Sequence, residues 1–287
     1  MTGSNGEHPS GNDEQSEFWN GVAGERWVRH QARLDRALGP FGEAALDRLE
    51  IAPGQSLLDV GCGTGETLLS IARRLGGQGR VLGVDLSRPM LERARERTRE
   101  QPEIELLQAD AAAYGFGQRF DAVFSRFGVM FFADPVLAFD ALRQTLRAGG
   151  QLAFVCWQAF EDNPWVHLPL VAARSLLTQD PPAAIDPNAP GPFSLASPAR
   201  IGDILSRAGY SEISIEAFRA PVVMSEEGVE AAVDFTFQTG PVARLLAEQP
   251  ESVRELARER IRERFAPLAA AGRVELDGAA WLVTASG

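Results

Sequence analysis

The chain has 287 residues, 45% of them apolar and 23% charged, a balance that supports a substantial core and excludes disorder over most of its length. Asp and Glu number 39 against 28 Lys and Arg, a formal net charge of -11, so the basic field that attracts a phosphate backbone or an anionic membrane is missing and nucleic acid is not an expected partner. No run approaches the ~18 to 20 apolar residues of a membrane span, and Cys62 and Cys156 are too few for a disulfide scaffold or a metal cluster; a cytoplasmic protein without a metal site is expected.

Residues 1–17 are polar, with neither an apolar run nor a basic start, and are expected to form a loose tail rather than a signal peptide. From residue 51, short apolar runs alternate with longer periodic ones, the pattern of parallel strands joined by crossover helices. The first strand is predicted over 56–60, and a glycine loop then opens a helix that buries Leu68, Leu69, Ile71, Ala72 and Leu75 and stops at Gly76-Gly77. A second strand over 80–85 leads to a helix with Ser87 as N-cap and Pro89 in its first turn. Further strands are predicted over 104–108, 121–125 and 151–157, with a helix over 135–146 before the last of these. Prolines at 164, 169, 181, 182, 187, 190, 192 and 198 are expected to interrupt long regular elements, making 158–200 an insertion or cap. The sheet pattern resumes over 201–287, with a helix from Pro198, a strand near 213–218, a helical stretch from about 226 to 271, and a last strand over 281–284. Arginines at 93, 95, 97 and 99, and again at 254, 258, 260, 262 and 264, alternate with glutamates and read as solvated helix faces.

Chemistry concentrates in Leu58-Asp59-Val60-Gly61-Cys62-Gly63-Thr64-Gly65, where glycines let a ligand approach the backbone and a helix N-terminus follows. Asp85 ends the second strand 20 residues beyond Gly65 (85 − 65), where a carboxylate can accept hydrogen bonds from ribose hydroxyls. The dinucleotide fingerprint is G-x-G-x-x-G, but here the glycines fall at 61, 63 and 65 and Glu66 opens the helix, facing a pyrophosphate unfavourably. Asp59 and Glu66 instead suit a ligand carrying ammonium and sulfonium cations, as S-adenosylmethionine does.

These residues resemble the first motif of the class I S-adenosylmethionine-dependent methyltransferases, in the ubiquinone/menaquinone-biosynthesis-like group that acts on small molecules. Val84-Asp85-Leu86-Ser87 is similar to that family's acidic ribose-binding segment, and Gln108-Ala109-Asp110-Ala111 to the segment that recognises the adenine edge. Phe120 to Ser125 and Leu146 to Leu152 resemble the later strand motifs, although Ala148 stands where proline is usual. The resemblance implies an α/β, Rossmann-like, doubly wound seven-stranded sheet in the order 3-2-1-4-5-7-6. It also implies a helical lid over 18–50 that brings Trp27 over the cofactor, and a core over 51–157. The expected activity is methyl transfer to an unidentified small-molecule acceptor, with a nicotinamide-dependent oxidoreductase or a non-catalytic S-adenosylmethionine-binding protein as alternatives.

The cofactor-binding set is expected to be Asp59, Gly61, Cys62, Gly63, Gly65, Asp85, Leu86, Met90, Asp110, Ala111, Ser125, Arg126 and Trp27. Simpler roles stand beside several of these: Met90 as core filler, Asp110 as a helix cap, Asp59 ordering the loop's own amides. Arg126, among aromatics, needs an anionic partner, which could be the cofactor carboxylate or an acidic substrate. His167, just past the fifth strand, is the candidate catalytic base, with Glu161 and Asp162 as alternatives.

Overall fold

The computed structural model describes residues 13–177, 186 and 188–287. The parallel strands are β1 (Ser56–Val60), β2 (Arg80–Asp85), β3 (Ile104–Gln108), β4 (Phe120–Arg126) and β5 (Leu146–Trp157). The long strands β6 (Ser211–Ser225) and β8 (Arg273–Ser286) pair antiparallel, and β8 also pairs antiparallel with β5, giving the order β3-β2-β1-β4-β5-β8-β6. Only the two-residue β7 (Ala269–Ala270), paired with β8, is additional to the expected order. Leu57, Leu58 and Val60 of β1 are all buried because helices cover both faces of the sheet.

Among the described residues, three helices precede the sheet: α1 (Asp13–Asn20), α2 (Val22–Arg29) and α3 (Gln31–Leu46). Helical structure thus begins at Asp13, inside the segment expected to be a tail; residues 1–12 lie outside the described residues. On α3, Leu34, Leu38, Phe41 and Ala45 recur at three- and four-residue spacing and bury together. The crossover helices α4 (Glu66–Leu75), α5 (Arg88–Thr98) and α6 (Pro135–Gln144) follow the expected positions. Gly76 in the left-handed conformation ends α4, and the Ser87 side chain accepts from the Met90 amide at the start of α5.

The expected break in 158–200 is only partial. Helix α7 (Pro164–Arg174) has Pro164 at its first turn and runs through Pro169, burying Val166, Leu170 and Ala173. Burial of that face offsets an interior proline costing ~3 kcal/mol. Pro181, Pro182 and Pro187 lie outside the described residues. After α8 (Pro198–Arg207), β6 and β8 run much further than their sequence patterns suggest. Pro221 is accommodated because β6 is an edge strand bonded only to β8. The extended end of this ladder carries α9 (Val229–Gln238), α10 (Gly240–Leu245) and α11 (Glu251–Phe265). Ala257, Ile261 and Phe265 bury one face of α11, while Arg258, Arg260 and Arg262 pair with Asp234, Glu263 and Glu230 at its surface.

Candidate cofactor and acceptor site

The β1 loop is held open by three left-handed glycines, Gly61, Gly63 and Gly65, with φ of 70°, 54° and 84°. Four of its amides, those of Gly61, Cys62, Gly63 and Gly65, are already committed. Gly61 and Cys62 donate to the Val84 carbonyl at 2.8 and 3.2 Å, Gly65 donates to the Cys62 carbonyl at 3.0 Å, and Gly63 donates to Asp85 Oδ2 at 2.8 Å. A diphosphate bound at such a loop relies on these N–H groups; here a carboxylate and carbonyls hold them. Cys62 turns its thiol inward against β2, and burial pushes its pKa up, so its backbone alone serves the loop.

Asp85 closes β2 and is buried, with Ser87 donating to its other oxygen at 2.8 Å. Burial raises its pKa against these two amides, which favour the charged form. Asp59 lies on β1 directly below the loop, wholly buried, and accepts from the Thr67 hydroxyl at 2.5 Å. Desolvation pushes its pKa up to about 7 in spite of Thr67 and Arg126. Its Oδ1 has no hydrogen-bond partner among the described residues. These two carboxylates beside a glycine-lined turn fit a cation-bearing nucleoside. Met90 Sδ lies 4.0 Å from where a Cβ on Gly63 would sit, so this side chain flanks the loop. Asp110 follows β3 and accepts from the Ala112 amide at 2.9 Å, Ala111 is buried, and Ala109 donates to the Asp85 carbonyl at 3.2 Å, drawing this segment to the same sheet edge.

The N-terminal helices are fastened beside Asp85. Asn20 donates to the Leu86 carbonyl at 3.0 Å and accepts from the Arg88 amide at 2.9 Å, while Ser87 Oγ donates to the Trp19 carbonyl at 2.7 Å. Trp19 meets Trp27 and Phe131 edge-on, at centroid distances of 5.8 and 5.3 Å. Phe18 lies under Arg244 of α10 at 5.0 Å, so the N-terminal helices touch the C-terminal ones. Asn20 carries no motif signal; only its two backbone partners, 66 and 68 positions away, reveal its role.

Two of the expected ligand contacts, Ser125 and Arg126, have partners within the chain. Ser125 is wholly buried, donates to the Val60 carbonyl at 2.7 Å and accepts from the Gly128 amide at 3.2 Å, stapling β4 to β1. Arg126 has its anionic partners within the chain: Glu66 at 2.8 Å and Asp35 at 3.9 Å. Burial raises the Glu66 pKa, with Arg126 opposing. Arg97 also departs from the solvated-face reading, since it is 16% exposed and pairs with Asp35 at 2.9 Å.

Past the ends of β4 and β5 the surroundings turn aromatic. Phe127 takes a left-handed φ of 61°, held by its amide's bond to the Val155 carbonyl at 3.0 Å and by stacking on Trp157 at 4.1 Å. Phe41 and Trp165 pack on Trp157 at 4.9 and 5.0 Å. His167 stands on α7, half-buried and edge-on to Phe160 at 5.1 Å, while Glu161 and Asp162 are exposed. A separate concavity of about 450 Å³, lined by Gly54, Ser56, Arg80, Arg119 and Arg147, lies at the amino ends of the strands. Open α/β sheets bind ligands at the opposite, carboxyl ends, so the glycine loop under its lid is the candidate site.

Residues 57–150 match the family described as "Methyltransferase domain". The aklanonic acid methyltransferase DauC of Streptomyces sp. (strain C5) is 37% identical over 118 residues, covering 40% of this chain and 54% of that protein. The 2-phytyl-1,4-naphtoquinone methyltransferase of Thermosynechococcus vestitus is 38% identical over 114 residues, covering 39% and 51%. The chain thus spans about half the length of these curated relatives. Among solved structures, geranyl diphosphate C-methyltransferase from Streptomyces coelicolor A3(2) shares the fold, with a TM-score of 0.53 at 17% identity over 98% of both chains. A Bacillus halodurans C-125 structure described as a putative methyltransferase gives 0.53 at 18% identity, covering 86% of this chain and 99% of that one. Motif, sheet order and relatives thus agree for residues 57–150, about a third of the chain, which match the methyltransferase-domain family.

Proposed function

We propose that the protein transfers the methyl group of S-adenosylmethionine to an apolar, ring-bearing small molecule in the cytoplasm. The observation that carries this reading is the state of the β1 loop: the amides of Gly61, Cys62, Gly63 and Gly65 are held by Val84, Cys62 and Asp85, and its flanks bear carboxylates, an environment suited to a cation and poor for a diphosphate. The same feature disfavours a nicotinamide cofactor. The acceptor class is supported by the Phe127, Trp157, Phe41 and Trp165 cluster, and by relatives whose names specify a naphthoquinone and aklanonic acid. Cys62 and Cys156, both free and buried, suit a reducing compartment.

In this proposal Asp85 accepts from the ribose hydroxyls, Asp110 and the Ala111 amide meet the adenine edge, and Leu86, Met90 and Trp27 flank the nucleoside. Asp59, with its unpaired Oδ1, faces the cationic end. When bound, S-adenosylmethionine supplies an electrophilic methyl carbon on a positively charged sulfur. Trp19, Trp27 and Phe131 exclude water, and the aromatic cluster aligns the acceptor so that its lone pair enters opposite the departing sulfur. His167 is the proposed base where the acceptor carries a proton to remove.

The test is incubation of the protein with isotopically labelled S-adenosylmethionine and a cell extract, followed by mass spectrometry. A labelled, apolar, ring-containing product is expected. Label appearing only in protein or RNA would overturn the acceptor assignment.

A further inference from the structure

Helix α3 presents Gln31, Asp35 and Gly42 on one face, at spacings of four and seven residues (35 − 31 and 42 − 35). Each engages an arginine from the cofactor core. Arg93 donates to Gln31 Oε1 at 3.2 Å, Arg97 pairs with Asp35 at 2.9 Å, and Arg126 passes so close to Gly42 that a Cβ there would lie 2.8 Å from its Cδ. Arg97 also donates to the Thr64 carbonyl at 2.8 Å, inside the glycine loop. Arg97, Asp35, Arg126 and Glu66 therefore form an alternating chain of charges, with separations of 2.9, 3.9 and 2.8 Å. All four side chains are at most 19% exposed, so solvent screens them little.

We infer that Asp35 is a positioning residue: it ties the lid helix α3 to the glycine loop by holding Arg97 on the Thr64 carbonyl, and thereby sets how long a ligand stays under the lid. Neutralising Asp35 would leave Arg97 without its carboxylate and Arg126 with Glu66 as its remaining ion pair, a costly arrangement for partly buried groups. Arg97 would then swing to solvent and release the loop. The effect on ligand residence rests on the proposed function; the tether itself does not.

Backbone hydrogen exchange on the full chain without ligand tests the tether, using wild type, Asp35→Asn, Asp35→Glu and Arg97→Gln. Asp35→Asn is expected to speed exchange at Gly61, Gly63 and Gly65 by about tenfold or more, with Val81 and Val84 in β2 unchanged. Asp35→Glu should restore most of the protection. Combining Asp35→Asn with Arg97→Gln should add little to either alone. Release of S-adenosylhomocysteine, followed by tryptophan fluorescence, should quicken in the same variants and by a similar factor. Unchanged exchange at the three glycines, or acceleration spread equally through β2, would overturn the inference. A wild-type protein that fails to bind S-adenosylhomocysteine would instead remove the proposed function, and the exchange data would still decide the role of Asp35.

Discussion

Gly61 and Gly128 touch across the carboxyl ends of β1 and β4: a Cβ on Gly61 would lie 2.9 Å from the Gly128 Cα, and one on Gly128 would lie 2.8 Å from the Val60 carbonyl oxygen. Both obstructions are backbone and cannot swing aside. Gly128→Ala is expected to destabilise the protein by about 1 to 3 kcal/mol, and Gly61→Ala by at least as much because its φ of 70° disfavours a side chain. Denaturant titration checks this; unchanged midpoints for both would contradict the packing described.

Asp85→Asn keeps the shape of the side chain but removes its charge, and the new amide group opposes the Gly63 or Ser87 N–H that now donates to it. Loss of charge-assisted hydrogen bonds worth about 1.5 to 3 kcal/mol predicts roughly 10- to 100-fold weaker S-adenosylmethionine binding. Calorimetry on a variant with a native circular dichroism spectrum would show it.

Asp59 gives a pH signature. Its folded pKa of about 7 lies above the usual carboxylate value of 3.8, so the folded state binds the proton more tightly than the unfolded chain. That contribution is intact below about pH 4 and is lost as pH rises towards 7. Asp59→Asn removes it, so melting temperature should fall more for wild type than for the variant between pH 5 and pH 8. Parallel profiles would contradict a proton held on Asp59. Binding of a cation beside it should also release protons near neutrality, measurable as a buffer-dependent enthalpy.

Asn20→Ala removes the two bonds that the Asn20 side chain makes to the 86–88 segment and leaves Ser87 Oγ on the Trp19 carbonyl. At about 0.5 to 1.5 kcal/mol each, their loss should speed cofactor dissociation severalfold or more while leaving the melting temperature of the sheet nearly unchanged. Stopped-flow displacement measures the rate.

The parallel half was legible in the sequence because its central strands β1, β4 and β5 are largely buried and its turns need glycine, as at Gly61, Gly63, Gly65 and Gly76. The antiparallel edge was not. β6 has no regular alternation of exposed and buried positions over most of its length and contains Pro221, so only 213–218 carried a strand signal, and pairing with β8 extends the ladder to Ser225. Within the candidate site, the positions of Asp59 on β1 and Asp85 at the end of β2 beside the glycine loop were readable from the motif, whereas their ligand roles stand as proposals. The assignments to Ser125 and Arg126 missed their partners because Val60, Gly128, Asp35 and Glu66 meet them only through tertiary structure. Arg97 looked like one more arginine on a charged helix for the same reason.

The most direct measurement is titration calorimetry of the purified protein with S-adenosylmethionine, S-adenosylhomocysteine and NAD in parallel. Saturable one-to-one binding of the first two, weakened by Asp85→Asn, and no heat with NAD is the expected result. Binding of NAD, or silence with both adenosyl ligands, would contradict the reading of the glycine loop as a seat for a sulfonium nucleoside.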